Sequence, residues 1–336
     1  MIIKDSLKPV YPLTRAGQNI ASNIIIIDGF SSSGKSLVAP ILGYLDKTEQ
    51  WQMRYEYEYL SILHLVGEIS TQSASALLKL QADNHLYDLM IGRNVNFRKT
   101  DSSSPYCDGL EEVYLSRIEE EEGDHVLNIE DNKGLILPLH VHYLFGKTDI
   151  LYRGFDKNLK LYLTFIRDPF VLIDTWFNSE FPRNLCEKSR EFTICCECDE
   201  GTVPWFATNY AKEYLLANEL EKSILTVFNY YSSVKKMYNS LSETDLAKTL
   251  VIEFEEFAVR PEPYIDKISS ILHTSRRDRF DDIMEKLSLP RETVDILGYD
   301  AFLKKYKNNL SHKYLILLEK LENVYALLKS DIDASQ

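Results

Sequence analysis

Eight consecutive residues carry the first chemistry in this sequence: Gly29-Phe30-Ser31-Ser32-Ser33-Gly34-Lys35-Ser36. Two glycines five apart, followed by Lys and Ser, allow the backbone to curl so that successive N–H groups point inward at an anion. Lys35 adds an ammonium, and a helix starting there adds partial positive charge. The chemistry implied is a grip on phosphate oxygens by Gly29, Ser31, Ser32, Ser33, Gly34, Lys35 and Ser36. Such a grip needs a strand before the loop and a helix after it. Asn23–Asp28, a β-branched run, supplies the strand, and Lys35 to Tyr44 reads as the helix.

A second candidate lies in Thr164-Phe165-Ile166-Arg167-Asp168-Pro169-Phe170-Val171-Leu172-Ile173-Asp174-Thr175-Trp176. Asp168 reads as an N-cap and Pro169 as the first helical residue, which sets Arg167 beside an electropositive helix start. Thr175 follows Asp168 by seven residues, two turns on and on the same face. The Arg167 fork and the Thr175 hydroxyl suit a second anion.

These blocks resemble the sulfotransferase family, whose members follow a strand with Arg, Asp or Asn, Pro, and a Ser or Thr eight residues after the Arg. Arg167 and Thr175 fall on those positions. The resemblance implies that this pair holds the 3′-phosphate of 3′-phosphoadenosine 5′-phosphosulfate, the sulfuryl donor. A third block, Leu250-Val251-Ile252-Glu253-Phe254-Glu255-Glu256-Phe257 with Arg260-Pro261-Glu262-Pro263, resembles the late strand, acidic turn and helix of the same family. Together the blocks cover Asn23 to Leu272. One departure is at Ser32, where many members carry a lysine that contacts the bridging oxygen of the donor. Lys35 stands where the family usually has Ser or Thr, which gives a loop more like that of nucleotide kinases.

Sulfuryl transfer also needs a base beside the acceptor and positive groups at the departing phosphate, a role that Lys35 fits. The resemblance implies a histidine, His140 or His142, at the end of the Leu135–Leu144 run. In the heparan-type branch it implies a glutamate on the strand after the loop helix, here Glu56 or Glu58. No metal is implied, and the acceptor is a hydroxyl-bearing small molecule or carbohydrate. Two other readings stay open: an ATP-dependent small-molecule kinase, with Ser36 and Asp168 or Glu253 on magnesium, and a non-catalytic nucleotide-binding protein.

The elements that position these residues alternate. Trp51 to Tyr59 reads as a second strand, followed by helical sequence to about Arg93. Gly134–Leu144, Leu159–Ile166 and Thr249–Phe254 read as strands, and Asn209–Tyr238 as one amphipathic helix with Tyr210, Tyr214, Tyr231 and Tyr238 on its apolar face. Asn96–Lys133, rich in Ser, Asp, Glu and Gly, reads as an exposed insertion. A helical tail spans 300–330, where Tyr314, Leu317, Leu321, Val324 and Leu328 recur. Alternating strands and helices imply an α/β, P-loop NTPase-like three-layer fold with a mostly parallel central sheet, here a single domain over 1–336.

Composition is that of a folded chain: 336 residues, 45% hydrophobic and 26% charged. A formal net charge of −13 opposes a nucleic-acid surface, which needs clustered lysines and arginines. No apolar run reaches the roughly 20 residues of a membrane span, and Met1–Leu13 lacks the order of a secretory signal, so the expectation is a cytoplasmic protein. The 5 cysteines, with Cys186, Cys195, Cys196 and Cys198 crowded together, read as reduced thiols whose spacing does not match common zinc sites.

Overall fold

The computed structural model describes residues 13–335. The reading of Met1–Leu13 lies outside them except at its last residue. The described part divides into two compact units. One runs to Ile25 and adds Lys47–Leu139 and Thr148–Lys160; the other comprises Ile26–Asp46, His140–Lys147 and the chain from Leu161 onward.

The described strands are β1 (Asn23–Gly29), β2 (Gln52–Met53), β3 (Ile136–His140), β4 (Leu159–Ile166), β5 (Cys195–Cys198), β6 (Gly201–Pro204) and β7 (Thr249–Glu253). Five form one sheet in the order β2, β3, β1, β4, β7, while β5 and β6 pair as a separate antiparallel hairpin. β4 and β7 run parallel, with Thr164 opposite Val251. The mostly parallel sheet flanked by helices is the α/β arrangement that the alternation of elements predicts. Ile24, Ile25, Ile26 and Ile27 are almost wholly buried, as expected of a strand covered on both faces.

β1 has β3 on one side and β4 on the other, so strand order reverses around it. Such a switch point opens a crevice at the carboxyl ends of the strands. Four chain segments leave the sheet at those ends within the second unit: the glycine loop after β1, His140 onward after β3, Arg167 after β4, and Phe254 after β7.

Three expectations need correction. The Trp51–Tyr59 strand shrinks to Gln52–Met53, and Glu56 opens a helix, Glu56–Leu65, with Glu58 in its first turn. The alternating Tyr-Glu pattern imitates a strand, yet Tyr55 and Tyr59 stack at 6.0 Å and the Ser61 hydroxyl donates to the Tyr57 carbonyl at 2.7 Å, both helical spacings of four. The single helix over 209–238 is broken into Ala211–Leu216 and Glu219–Tyr238. Asn218 caps the longer piece, its side chain accepting from the Glu221 amide while Glu221 accepts from the Asn218 amide. Finally, Cys186 and Cys195 form a disulfide, their Cα atoms 5.9 Å apart and within bridging reach. Cys107, Cys196 and Cys198 are thiols.

The 96–133 stretch carries short helices, including Glu111–Arg117, whose Tyr114 is buried and donates to Glu49 at 2.7 Å. The acidic run Glu119–Glu122 is exposed. Near the end of the chain, the helix His312–Asp333 buries Tyr314, Leu318, Leu321, Leu328 and Ile332. Its Tyr325 meets Tyr231 edge-on at 5.2 Å. Among the described residues no helix is long and apolar enough to cross a membrane.

Candidate anion-binding and acid–base site

The glycine loop is shaped by what cannot be there. A Cβ on Gly29 would stand 2.6 Å from the Ser33 hydroxyl and 3.0 Å from the Phe165 carbonyl, and one on Gly34 would stand 2.1 Å from the Phe254 ring. Both glycines take positive φ, +146° and +97°. Ser32 takes φ +68° without being glycine, a conformation that persists only where its surroundings impose it. Gly34 is the N-cap of the helix Lys35–Gly43. Lys35 is 4% exposed, and its ammonium donates across the loop to the Phe30 carbonyl at 3.1 Å. Ser31 is half-buried, Ser33 buried and Ser36 exposed. A buried ammonium, a helix start and a curled backbone together fit a phosphoryl or sulfuryl group.

Arg167 begins where β4 ends. Its Nη1 donates to the Ser32 carbonyl at 2.8 Å, which fixes the guanidinium at the rim of the glycine loop. The guanidinium also lies over the Phe254 ring, 4.4 Å from its centre, the ring that packs on Gly34. The Arg167 backbone is held at both ends: the Tyr231 hydroxyl accepts from its N–H at 3.0 Å and also donates to its carbonyl. Glu255 Oε1 lies 3.9 Å from Arg167 Nε and accepts the Asp168 N–H at 2.9 Å. Burial raises the Glu255 carboxyl above its ordinary value, while the Asp168 amide and Arg167 act the other way.

Asp168 is the N-cap that the sequence implies. One oxygen accepts from the Phe170 and Val171 amides at 2.8 and 3.3 Å, starting the helix Pro169–Asn178. The other accepts from the Leu297 and Gly298 amides at 3.2 and 3.0 Å. Thr175 stands half-buried two turns into this helix. Arg291 escaped sequence reasoning. Its guanidinium lies 5.8 Å from the centre of the Phe254 ring that Arg167 covers, so two cations share one aromatic ring beside the loop. An isolated arginine after a proline gives no periodic or motif signal.

His140 ends β3, and the ladder to β1 continues beyond it: the Val141 amide donates to the Ile27 carbonyl at 2.9 Å and the Tyr143 amide to Gly29 at 3.2 Å. His142 lies between those ties. The two imidazoles meet edge-on with centroids 5.0 Å apart. His140 is 3% exposed, and His142 is half-buried. Burial depresses both imidazoles well below the ordinary histidine range; His142 and Lys35 add to this at His140, and Lys35 adds to it at His142. Both are therefore neutral at physiological pH, the form that accepts a proton. The charge of the loop lysine thus acts on both imidazoles. Glu56 is exposed and belongs to the other unit.

No model of a known protein family matches the sequence, and no curated protein matches it. The chain is similar to solved sulfotransferases. One is a sulfotransferase domain from the Synechococcus PCC 7002 olefin synthase, at 12% identity and TM-score 0.40 over 96% of this chain and 98% of that one. A sulfotransferase from Alicyclobacillus acidocaldarius aligns at 14% identity and TM-score 0.41, over 92% and 94% of the two chains. One from Mycobacterium avium aligns at 11% identity and TM-score 0.42, over 92% and 76%.

Proposed function

We propose that this protein is a sulfotransferase that moves a sulfuryl group from 3′-phosphoadenosine 5′-phosphosulfate to a hydroxyl-bearing acceptor, a small molecule or carbohydrate. The observation that carries the reading is the 2.8 Å hydrogen bond from Arg167 to the Ser32 carbonyl. It sets a second cationic fork beside a phosphate loop, as a nucleotide with two separated anionic groups requires. Gly29–Ser36 would hold the 5′-phosphosulfate, and Arg167 with Thr175 the 3′-phosphate. Lys35 and the loop amides would stabilise charge on the leaving phosphate. Of the two histidines, His142 is the more accessible and would take the acceptor proton, with His140 packed behind it.

The kinase reading is less well supported. It needs Asp168 or Glu253 on a cation, but both Asp168 oxygens accept backbone amides and Glu253 pairs with Lys329 at 2.5 Å. A binding titration with adenosine 3′,5′-bisphosphate and ADP separates the two. The bisphosphate is expected to bind at least about tenfold more tightly, about 1.4 kcal/mol, and Arg167→Ala to abolish the difference. Equal affinities in the unmodified protein would favour the kinase.

A further inference from the structure

Asp28 precedes the glycine loop and is fully buried. Its carboxylate gathers hydrogen bonds from three places. Oδ1 accepts the amide of Gly29, the first loop residue, at 2.6 Å. Oδ2 accepts the amides of Leu144 and Phe145 at 3.1 and 2.5 Å, and Oδ1 also approaches the Leu144 amide at 3.3 Å. The Tyr162 hydroxyl on β4 donates to Oδ2 at 2.7 Å.

Leu144 and Phe145 follow Tyr143, which takes φ +65° although it is not glycine. A bulky residue in the left-handed region stays there only when the chain on both sides is pinned. Upstream, the Val141 and Tyr143 amides are bonded to β1; downstream, Asp28 takes the next two amides. His142 sits inside this doubly fixed turn.

We propose that Asp28 is a positioning residue, whose buried carboxylate clamps the turn after His142 onto the start of the phosphate loop and so holds the histidine pair beside Lys35. The inference rests on the sulfuryl-transfer reading for what His142 does, but the clamp itself is independent of it. Burial raises the Asp28 carboxyl above its ordinary value, opposed by Tyr162, the Gly29 and Phe145 amides and Lys35. The charged and titratable groups that act on Asp28 are Lys35, Tyr162 and Tyr230, and Lys35 acts on the two histidines as well.

The test follows the imidazoles of His140 and His142 by NMR through an acid titration of the intact chain, for the unmodified protein, Asp28→Asn and Tyr162→Phe. Asn keeps an acceptor for Gly29 but only one oxygen where the native side chain offers two. A loosened turn admits water, so both imidazole midpoints should rise toward the ordinary value by at least about one pH unit in Asp28→Asn, and by less in Tyr162→Phe. Affinity for adenosine 3′,5′-bisphosphate should stay within about threefold. If Asp28→Asn does not fold, Tyr162→Phe alone carries the test. Unchanged histidine titrations in the folded variants would overturn the proposal, because a carboxylate that only stabilises the fold would leave them in place. So would a collapse of bisphosphate affinity, which would make Asp28 a support of the phosphate loop. Failure of the sulfuryl reading shows separately, as equal affinity of the unmodified protein for the bisphosphate and ADP.

Discussion

Arg167 and Ser32, 135 residues apart in sequence, are joined by one hydrogen bond of 2.8 Å from guanidinium to carbonyl. The bond ties the segment that follows β4 to the glycine loop, so the two hold each other in register. Phe254 joins them again, since its ring packs on Gly34 and lies under Arg167. Damage to either segment therefore reaches the other.

Gly34→Ala is the sharpest test of this shared packing. The new methyl would stand 2.1 Å from the Phe254 ring at φ +97°. Overpacking costs about 1–3 kcal/mol and a left-handed alanine about 1 kcal/mol more. Chemical denaturation should show the loss of stability, and calorimetry should show the loss of bisphosphate binding. A variant as stable and as avid as the parent would disprove the packing argument.

Asp168 holds four backbone amides, two in its own helix and two at Leu297 and Gly298. Asp168→Ala leaves all four without that acceptor and is expected to cost about 2–4 kcal/mol in urea denaturation. Asp168→Asn, which keeps one oxygen, should cost clearly less. Equal losses would mean that the oxygen Asn retains holds none of these amides, and would overturn the capping argument.

Arg291 shares the Phe254 ring with Arg167 but donates to no loop carbonyl among the described contacts. Arg291→Ala should weaken adenosine 3′,5′-bisphosphate by about tenfold, less than Arg167→Ala, within the range for a charge-assisted contact. Titration calorimetry on both variants ranks them, and an Arg291→Ala affinity equal to that of the parent would remove Arg291 from the site.

Three histidines make stability depend on pH. Burial holds His140 and His142 well below 6.5, and pushes His85 down to about 3, with Arg54 adding to the effect. Their folded affinities for protons are lower than in the unfolded chain, so the unfolded state binds more protons in acid and stability rises with pH. The contribution is complete above about pH 6.5, the ordinary histidine value, and is lost progressively below it. Urea midpoints at pH 7.5 and 5.5 should differ in favour of pH 7.5. His85→Gln should flatten the difference, unless the variant fails for loss of its 3.1 Å hydrogen bond to Tyr57.

Local chemistry made much of the site legible in the sequence. β1, the loop and its helix follow from β-branched residues meeting two glycines, and β4 matches the predicted Leu159–Ile166. The Asp168 cap follows from Asp-Pro. What misled was periodicity in short segments: Tyr-Glu alternation over five residues fits a strand as well as one and a half turns of helix. The break at Asn218 was also signalled, by a glutamate three residues later, but a continuous aromatic stripe outweighed it. The Cys186–Cys195 pairing and the approach of Arg291 to Phe254 depend on distant chain segments meeting, which no local pattern encodes.

Phe30, the second residue of the loop, lies flat against Trp176 at 4.4 Å, and Trp205 joins the same aromatic group through Tyr143. Two of the chain's 3 indoles thus sit in one packed cluster with the loop. Their ultraviolet emission responds to small changes in surroundings, so filling the loop should register as a change in intrinsic light output. The molecule carries its own optical gauge, readable without a dye or a known acceptor.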